Sequence, residues 1–326
     1  MWLLHTKTSE LKFYKDSKRV RYAALSHVWE ADDHRQPFRE IQAIYSRCLA
    51  SGEDPRELVT AKVRNFLDLA ERDGYKWGWL DTACIDKTSS AELSEAINSM
   101  YRWYCDADVC YASLSDVADD DSPLLPESDF RSSRWHTRGW TLQELIAPHT
   151  VVFLSKSWDF IGTKASLAGV LEEITGVDLP LLASPIPPES STISIARRMS
   201  RASRRETTRP EDRAYSLMGI FGVTMPIIYG EGGERSFERL QVEIIKMRPY
   251  DQTIFAWGPI HPNIDTALAN LRCPRSLEYP VLCIPEDPCS RLLAPSPGEF
   301  SSSSNFEPIE PERRGFDCVT FPHTPR

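Results

Sequence analysis

Long hydrophobic runs are absent from this 326-residue chain. Its apolar stretches fall far short of the roughly 20 residues that a transmembrane helix needs. Residues 1–7 also lack the basic region and the following apolar stretch of a secretory signal. Eight cysteines at irregular spacing, without such a signal, indicate free thiols rather than a disulfide framework. These absences predict a cytoplasmic protein without a membrane span.

Metal-binding and nucleotide-binding signatures are lacking as well. His27, Cys105 and Cys110 do not form a recognisable zinc spacing, and no G-x-x-x-x-G-K-[ST] loop occurs. We therefore predict no metal and no bound cofactor. The formal net charge of −9 opposes generic binding to nucleic acid, because the phosphates repel an acidic protein. We predict no nucleic-acid partner.

One basic cluster, which extends from Arg197 to Arg213, departs from this acidic average. The simpler interpretation is a solvated helix face whose arginines pair with the nearby carboxylates of Glu206, Glu211 and Asp212. The alternative is a binding site for phosphate or for an acidic partner. The sequence leaves both interpretations open.

Short apolar runs alternate with amphipathic helical patterns in the first half of the chain. The predicted strands cover residues 22–26, 77–81, 109–114 and 150–154. One predicted helix covers residues 60–73, a second opens with a capping box of Ser89 and Glu92, and a third carries Glu144. This order predicts a parallel sheet with right-handed crossovers and helices on its faces.

Beyond residue 155 helical patterns dominate, and Thr208 with Glu211 forms a further capping-box pattern that predicts a helix start. Twelve of the 24 prolines lie between residues 258 and 326, which predicts an irregular segment. We divide the chain into an α/β domain at residues 1–155, a helical companion region packed on it at 156–257, and a Pro/Ser-rich, largely irregular tail at 258–326.

The segment from Arg134 to Pro148 carries more functional side chains than a core helix needs. Trp140 and Glu144 are four residues apart and therefore share one face of a predicted helix, with Arg138 nearby. A carboxylate beside an indole is a candidate catalytic group. From these residues alone, a salt-bridged surface glutamate is the favoured interpretation.

Ligands of open parallel α/β sheets bind outside the carboxyl ends of the strands, and unusual side chains follow the predicted strands here. They are Ser26, His27 and Trp29 after the first strand, and Asp81 and Asp86 after the second. Each has a structural alternative, since aspartates cap turns, histidine hydrogen-bonds loops and tryptophan fills cores. Their shared position, which the Glu144 helix borders, predicts a ligand site.

A mechanism based on a cysteine thiol would also use residues at the carboxyl ends of the strands. Cys84, His27 and Asp81 are a candidate nucleophile, base and orienting group of a hydrolase or acyl transferase. A cysteine at the end of a buried strand is more often a small core residue. The thiol hydrolase is therefore the less supported alternative.

Three blocks are distinctive in combination: Tyr22-Ala-Ala-Leu-Ser-His-Val-Trp29, Trp79-Leu-Asp-Thr-Ala-Cys-Ile-Asp-Lys87 and Arg138-Gly-Trp-Thr-Leu-Gln-Glu-Leu145. They resemble the signature blocks of the fungal HET (heterokaryon incompatibility) domain. Residues 205–232 resemble the segment that commonly follows it, so the similarity extends to about residue 257. Two positions depart from the family pattern: Glu30 replaces a glycine, and Ala83-Cys84 replaces a pair of cysteines.

The resemblance implies a protein of fungal non-self recognition whose domain is an effector of regulated cell death, a form of innate immunity. HET domains have been proposed to be distant relatives of TIR domains, several of which hydrolyse NAD⁺ with a glutamate on the helix after the third strand. Glu144 occupies the similar position. The resemblance implies a TIR-like or flavodoxin-like parallel sheet with flanking helices, followed by a mainly helical region and an irregular tail.

In an NAD⁺ hydrolase of this kind, Glu144 would be the catalytic residue and NAD⁺ a substrate rather than a cofactor. The candidate substrate-binding residues are Ser26, His27, Trp29, Asp81, Asp86, Arg138 and Trp140. TIR-type enzymes generally need assembly, so the expected partner is a second copy or a separate recognition protein. A non-enzymatic module that associates with itself or with a receptor is the alternative.

Overall fold

The computed structural model describes residues 1–28, 36–183, 193–258 and 292–308. Seven strands form one mixed sheet in the order β2-β1-β4-β3-β5-β6-β7. The strands are β1 Trp2–His5, β2 Leu11–Phe13, β3 Ala23–His27, β4 Trp77–Trp79, β5 Val109–Ser113, β6 Val151–Leu154 and β7 Phe160–Thr163.

The four central strands run parallel, and they are the four that the sequence pattern predicts. β3 pairs with β4 on one side and with β5 on the other, and β5 pairs with β6. Every residue of β3 and β5 is buried, as expected for strands that are covered by helices on both faces. The predicted mixed α/β fold with flanking helices is confirmed, whereas the relation to TIR domains stays a prediction.

The three remaining strands are antiparallel, and the sequence pattern did not reveal them. β1 and β2 form a hairpin that joins β4, and β7 returns along β6 at the opposite edge. At most two residues of each of these strands are buried, so a search for strands that are buried on both faces does not detect them.

The helices of the first half connect the parallel strands. They are α1 Phe38–Ser51, α2 Pro55–Leu58, α3 Ala61–Arg72, α4 Ser90–Asp106, α5 Asp129–Ser132 and α6 Thr141–Ile146. The hydroxyl oxygens of Thr60 and Ser89 accept hydrogen bonds from the backbone amides of Val63 and Glu92. These side-chain caps fix the starts of α3 and α4 where the sequence predicts them.

The second half is helical. Its helices are α7 Ala168–Thr175, α8 Leu179–Ala183, α9 Ile195–Ala202, α10 Asp212–Tyr215, α11 Met218–Phe221 and α12 Gly233–Met247. The predicted start near Thr208 is wrong: α10 begins at Asp212 without a side-chain cap. The Thr208 hydroxyl instead accepts a hydrogen bond from Arg138, 3.0 Å away, so a tertiary contact replaces the local cap.

Part of the Pro-rich tail packs on this helical region. Phe300 is fully buried, and the Gln241 side chain on α12 donates to the carbonyl of Ala294 over 2.8 Å. Within the described ranges, no helix is both long and apolar enough to cross a membrane.

The tightest described contact of a glycine joins the two halves of the chain. A Cβ added to Gly219 on α11 would lie 2.1 Å from Cβ and 2.5 Å from Cγ of Tyr101 on α4. These atoms lie close to the backbone of α4 and cannot rotate away. The packing of α11 on α4 therefore requires glycine at this position.

We expect Gly219→Ala to lower the free energy of unfolding by about 1–3 kcal/mol, because the new methyl group overlaps Tyr101. Gly169→Ala on α7 is the matched control, since its Cβ meets nothing within 4 Å. It should leave stability unchanged or raise it slightly through helix propensity. Denaturant unfolding of both variants tests this, and equal stabilities would contradict the close contact.

Candidate active site

Glu144 on α6 lies buried at the carboxyl end of the central strands. All six residues of α6 are buried, since the helix packs against α4 and β3. The hydroxyl of Ser26, on β3, donates a hydrogen bond to Glu144 Oε2. Trp135 Nε1 donates to the same hydroxyl oxygen over 2.7 Å. An indole, a hydroxyl and a carboxyl group thus form one buried hydrogen-bonded chain.

The segment before α6 holds Trp135 in place. A 3-10 helix covers Arg134–Thr137, and the Ser133 hydroxyl caps it by accepting from the Trp135 amide at 3.3 Å. Ser133 in turn donates to the carboxylate of Asp116, at 2.7 Å. Because Asp116 follows β5, the sheet sets the position of the indole.

Burial raises the pKa of Glu144 to about 8, and the negative charge of Asp81 adds to that effect. Hydrogen bonds from Ser26 and Tyr104 and the charge of Arg205 act in the opposite direction. Removal from water outweighs these stabilising contacts, so the group is mainly protonated at neutral pH. A carboxyl group with a pKa this close to neutrality is typical of catalytic sites.

Arg205 approaches the first turn of α6 from the helical region. Its Nη1 donates to the carbonyl of Arg138 over 2.8 Å and to the Thr141 hydroxyl over 2.9 Å. Burial lowers its pKa to about 9, and the charge of Glu144 partly opposes that shift. The sequence distinguishes Arg205 only as one member of a basic cluster, because no local pattern indicates its long-range contact.

The predicted site residues lie in two different places, some near Glu144 or the neighbouring strand ends and others against the helical region. Ser26 contacts Glu144 directly, and Asp81 influences it electrostatically while its carboxylate pairs with Lys87 at 3.1 Å. His27 is buried at the end of β3. Asp86 accepts from the Thr88 amide at 3.0 Å, which is the turn-capping role given as its alternative. Trp29 lies outside the described residues.

Arg138 and Trp140 face the helical region instead. Trp140 Nε1 donates to Asp212 over 3.2 Å, and the Tyr229 hydroxyl donates to the same carboxylate over 3.0 Å. The Arg138 side chain contacts Thr208. The indole in the hydrogen-bonded chain of Glu144 is therefore Trp135, which sequence analysis missed because its spacing from Glu144 fits no helical period.

Two favoured interpretations from the sequence are wrong. Glu144 is not a salt-bridged surface glutamate, since it is 7% exposed and bonded to a hydroxyl. The basic cluster is not one solvated face, since Arg198 and Arg201 are buried. The described ion pairs of Arg197 go to Asp178 and Glu307 and that of Arg201 goes to Asp178, rather than to Glu206, Glu211 or Asp212. In both cases tertiary contacts override the local pattern.

Cys84 does not resemble an activated nucleophile. It is 2% exposed, and burial raises the pKa of its thiol to about 12. A thiol in such surroundings stays protonated at neutral pH, and the thiolate is the reactive form. The thiol-hydrolase alternative thus gains no support from Cys84.

We expect Glu144→Gln to become progressively more stable than the wild type as pH rises from about 5 to 8. Over this interval the unfolded state has lost the Glu144 proton while the folded state retains it, so wild-type stability falls as pH rises. The difference should grow by up to about 1.4 kcal/mol per pH unit. Urea unfolding at several pH values measures it.

The exposed Glu238 on α12 provides the control for this measurement, since Glu238→Gln makes the same chemical change at the surface. Its stability should follow the wild-type pH profile. A Glu144→Gln profile parallel to the wild type would mean that Glu144 ionises normally in the folded protein.

Comparison with known proteins identifies the family. A family model described as Heterokaryon incompatibility protein (HET) matches residues 22–127, and one described as Domain of unknown function (DUF8212) matches residues 235–325. The chain is 44% identical over 230 residues to a Podospora anserina protein named Vegetative incompatibility protein HET-E-1. This match covers 69% of the chain but only 16% of that protein. No solved structure matches. The chain thus contains a domain of the fungal HET (heterokaryon incompatibility) family, which the family model locates at residues 22–127.

Proposed function

We propose that this protein acts in vegetative incompatibility as an effector of cell death, and that its HET domain hydrolyses NAD⁺ at the nicotinamide–ribose bond. The role in vegetative incompatibility rests on the name of its Podospora anserina relative, and the role as an effector of cell death rests on the resemblance to HET domains. The proposed hydrolysis of NAD⁺ rests on Glu144, a buried carboxyl group with a raised pKa. It lies at the carboxyl ends of the parallel strands, where ligands of such sheets bind.

One carboxylate suffices for this chemistry. Water attacks C1′ of the ribose, the C1′–N bond breaks, and its electron pair neutralises the pyridinium ring of the departing nicotinamide. The leaving group therefore needs no proton. The ionised carboxylate of Glu144 stabilises the positive charge that develops on the ribose, and the proton of the attacking water is released.

The hydrogen-bonded chain sets the direction of the carboxyl group. Ser26 occupies Oε2, and Trp135 holds the Ser26 hydroxyl so that its proton points towards Glu144. At 7% exposure, the carboxyl group needs a rearrangement of its neighbours before substrate reaches it. Assembly of several copies, or binding of a recognition protein, supplies that rearrangement in this proposal.

We expect concentrated protein, clustered through an oligomerising tag, to release nicotinamide from NAD⁺. Glu144→Gln should lose this turnover by about 100-fold or more, because a neutral amide cannot stabilise the developing charge. Glu238→Gln, the same change on an exposed glutamate, is the matched control and should retain turnover. Chromatographic detection of nicotinamide measures all three, and an active Glu144→Gln protein would refute the assignment.

The pH profile provides an independent test of the catalytic form. Because the carboxylate is the working form and the pKa of Glu144 is about 8, kcat/KM should rise by up to about tenfold per pH unit below pH 8 and then level off. Steady-state rates between pH 6 and pH 9 measure this. A rate that is independent of pH over this interval would contradict the role of a raised pKa.

A non-enzymatic signalling module is the second candidate. The observation that favours it is the completeness of the bonding around Glu144, which gives the carboxyl group a structural role. If clustered wild-type protein releases no nicotinamide yet kills fungal cells on expression, this second function replaces the first.

A further inference from the structure

The helical region contains a cavity of about 250 Å³ that is separate from the buried carboxyl site. Its walls come from Gly139, from residues 202–207 after α9, from Arg213 and Ser216, and from residues 296–298 of the tail. Neither Glu144 nor Ser26 lines it. Residues near positions 139, 202–216 and 296–298, which are distant in sequence, therefore line a space that the proposed reaction does not use.

The cavity is rich in positive charge. Arg204, Arg205 and Arg213 line it, whereas Glu206 is its one acidic lining residue. In the part of the chain that the structure describes, no carboxylate forms an ion pair with any of these three guanidinium groups. The neighbouring Arg197 differs, because it pairs with Asp178 and Glu307. Cations without a protein counter-charge attract an external anion.

Arg205 adds a second, independent indication. Its guanidinium is held by two neutral oxygens, the Arg138 carbonyl and the Thr141 hydroxyl. Its Nη2 atom is buried and has no hydrogen-bond partner among the described residues. A buried charged group with an unsatisfied donor is costly, and an anion in the cavity that Arg205 lines offsets its positive charge.

We propose that this cavity binds a phosphate group. A planar guanidinium group donates two parallel hydrogen bonds to two oxygens of one phosphate group. Serine hydroxyls such as that of Ser296 supply further donors. The volume lies below the roughly 300–1,000 Å³ of pockets for drug-sized ligands. It therefore suits inorganic phosphate or a diphosphate group and excludes a whole dinucleotide. The proposal is independent of the reaction assigned to Glu144.

The test is calorimetric titration of the full chain with inorganic diphosphate at low salt. Arg213→Gln removes an exposed cation from the cavity wall and should weaken binding by about tenfold or more. Arg72→Gln is the matched control, because Arg72 is 75% exposed on α3, where it contacts only its neighbour Asp73 in a described ion pair. It should bind diphosphate as tightly as the wild type.

Two results would overturn the proposal: no binding by wild-type protein at millimolar diphosphate, or an equal loss in Arg72→Gln and Arg213→Gln. Competition with NAD⁺ identifies the source of the phosphate. Displacement of diphosphate by NAD⁺ would assign the cavity to the diphosphate group of a dinucleotide whose remaining atoms lie outside it, and lack of displacement would assign it to a separate small anion. Glu144→Gln should bind diphosphate normally, so failure of the reaction and failure of this site remain distinguishable.

Discussion

The hydrogen bond from the Ser26 hydroxyl to the carboxyl group of Glu144 is the interaction on which the rest of this fold is arranged. A carboxyl group in an apolar core is costly unless it is protonated or bonded. Glu144 satisfies both conditions. Its raised pKa keeps it mainly protonated at neutral pH, and the hydroxyl groups of Ser26 on β3 and Tyr104 on α4 form hydrogen bonds with it. Trp135 then depends on the same hydroxyl, so strand, helix and 3-10 helix share one polar centre.

The helical region completes this centre rather than merely lying beside it. The Gly139 amide donates to the Glu206 carbonyl over 2.8 Å, and the Glu206 amide donates to the Thr137 carbonyl over 2.7 Å, just before the start of α6. A Cβ on Gly139 would lie 2.4 Å from the Thr207 methyl carbon, so a side chain at position 139 would overlap Thr207. The segment that carries Arg205 is thereby fixed against the helix that carries Glu144.

Local sequence signals predicted the parallel strands and the capped starts of α3 and α4, because these depend on periodicity and on side chains three residues apart. The contacts of Trp135 and Arg205 were not predictable in this way. Each depends on a partner more than 60 residues distant, Ser26 for the first and the start of α6 for the second. The prediction that Glu144 is exposed was wrong for the same reason, because the whole fold decides which side chains are buried.

The pairing of β6 with β5 determines where the α/β domain can end. The match to the HET family model ends at residue 127, but β5 forms parallel hydrogen bonds with β6 at residues 151–154. A fragment cut at the end of the match would lose Glu144 and expose the edge of a fully buried, apolar strand. Open edges of this kind recruit other chains and aggregate. A fragment that keeps the partner of β5 must therefore extend at least through β6, and it then includes Glu144, which lies beyond the residues that the family model matches.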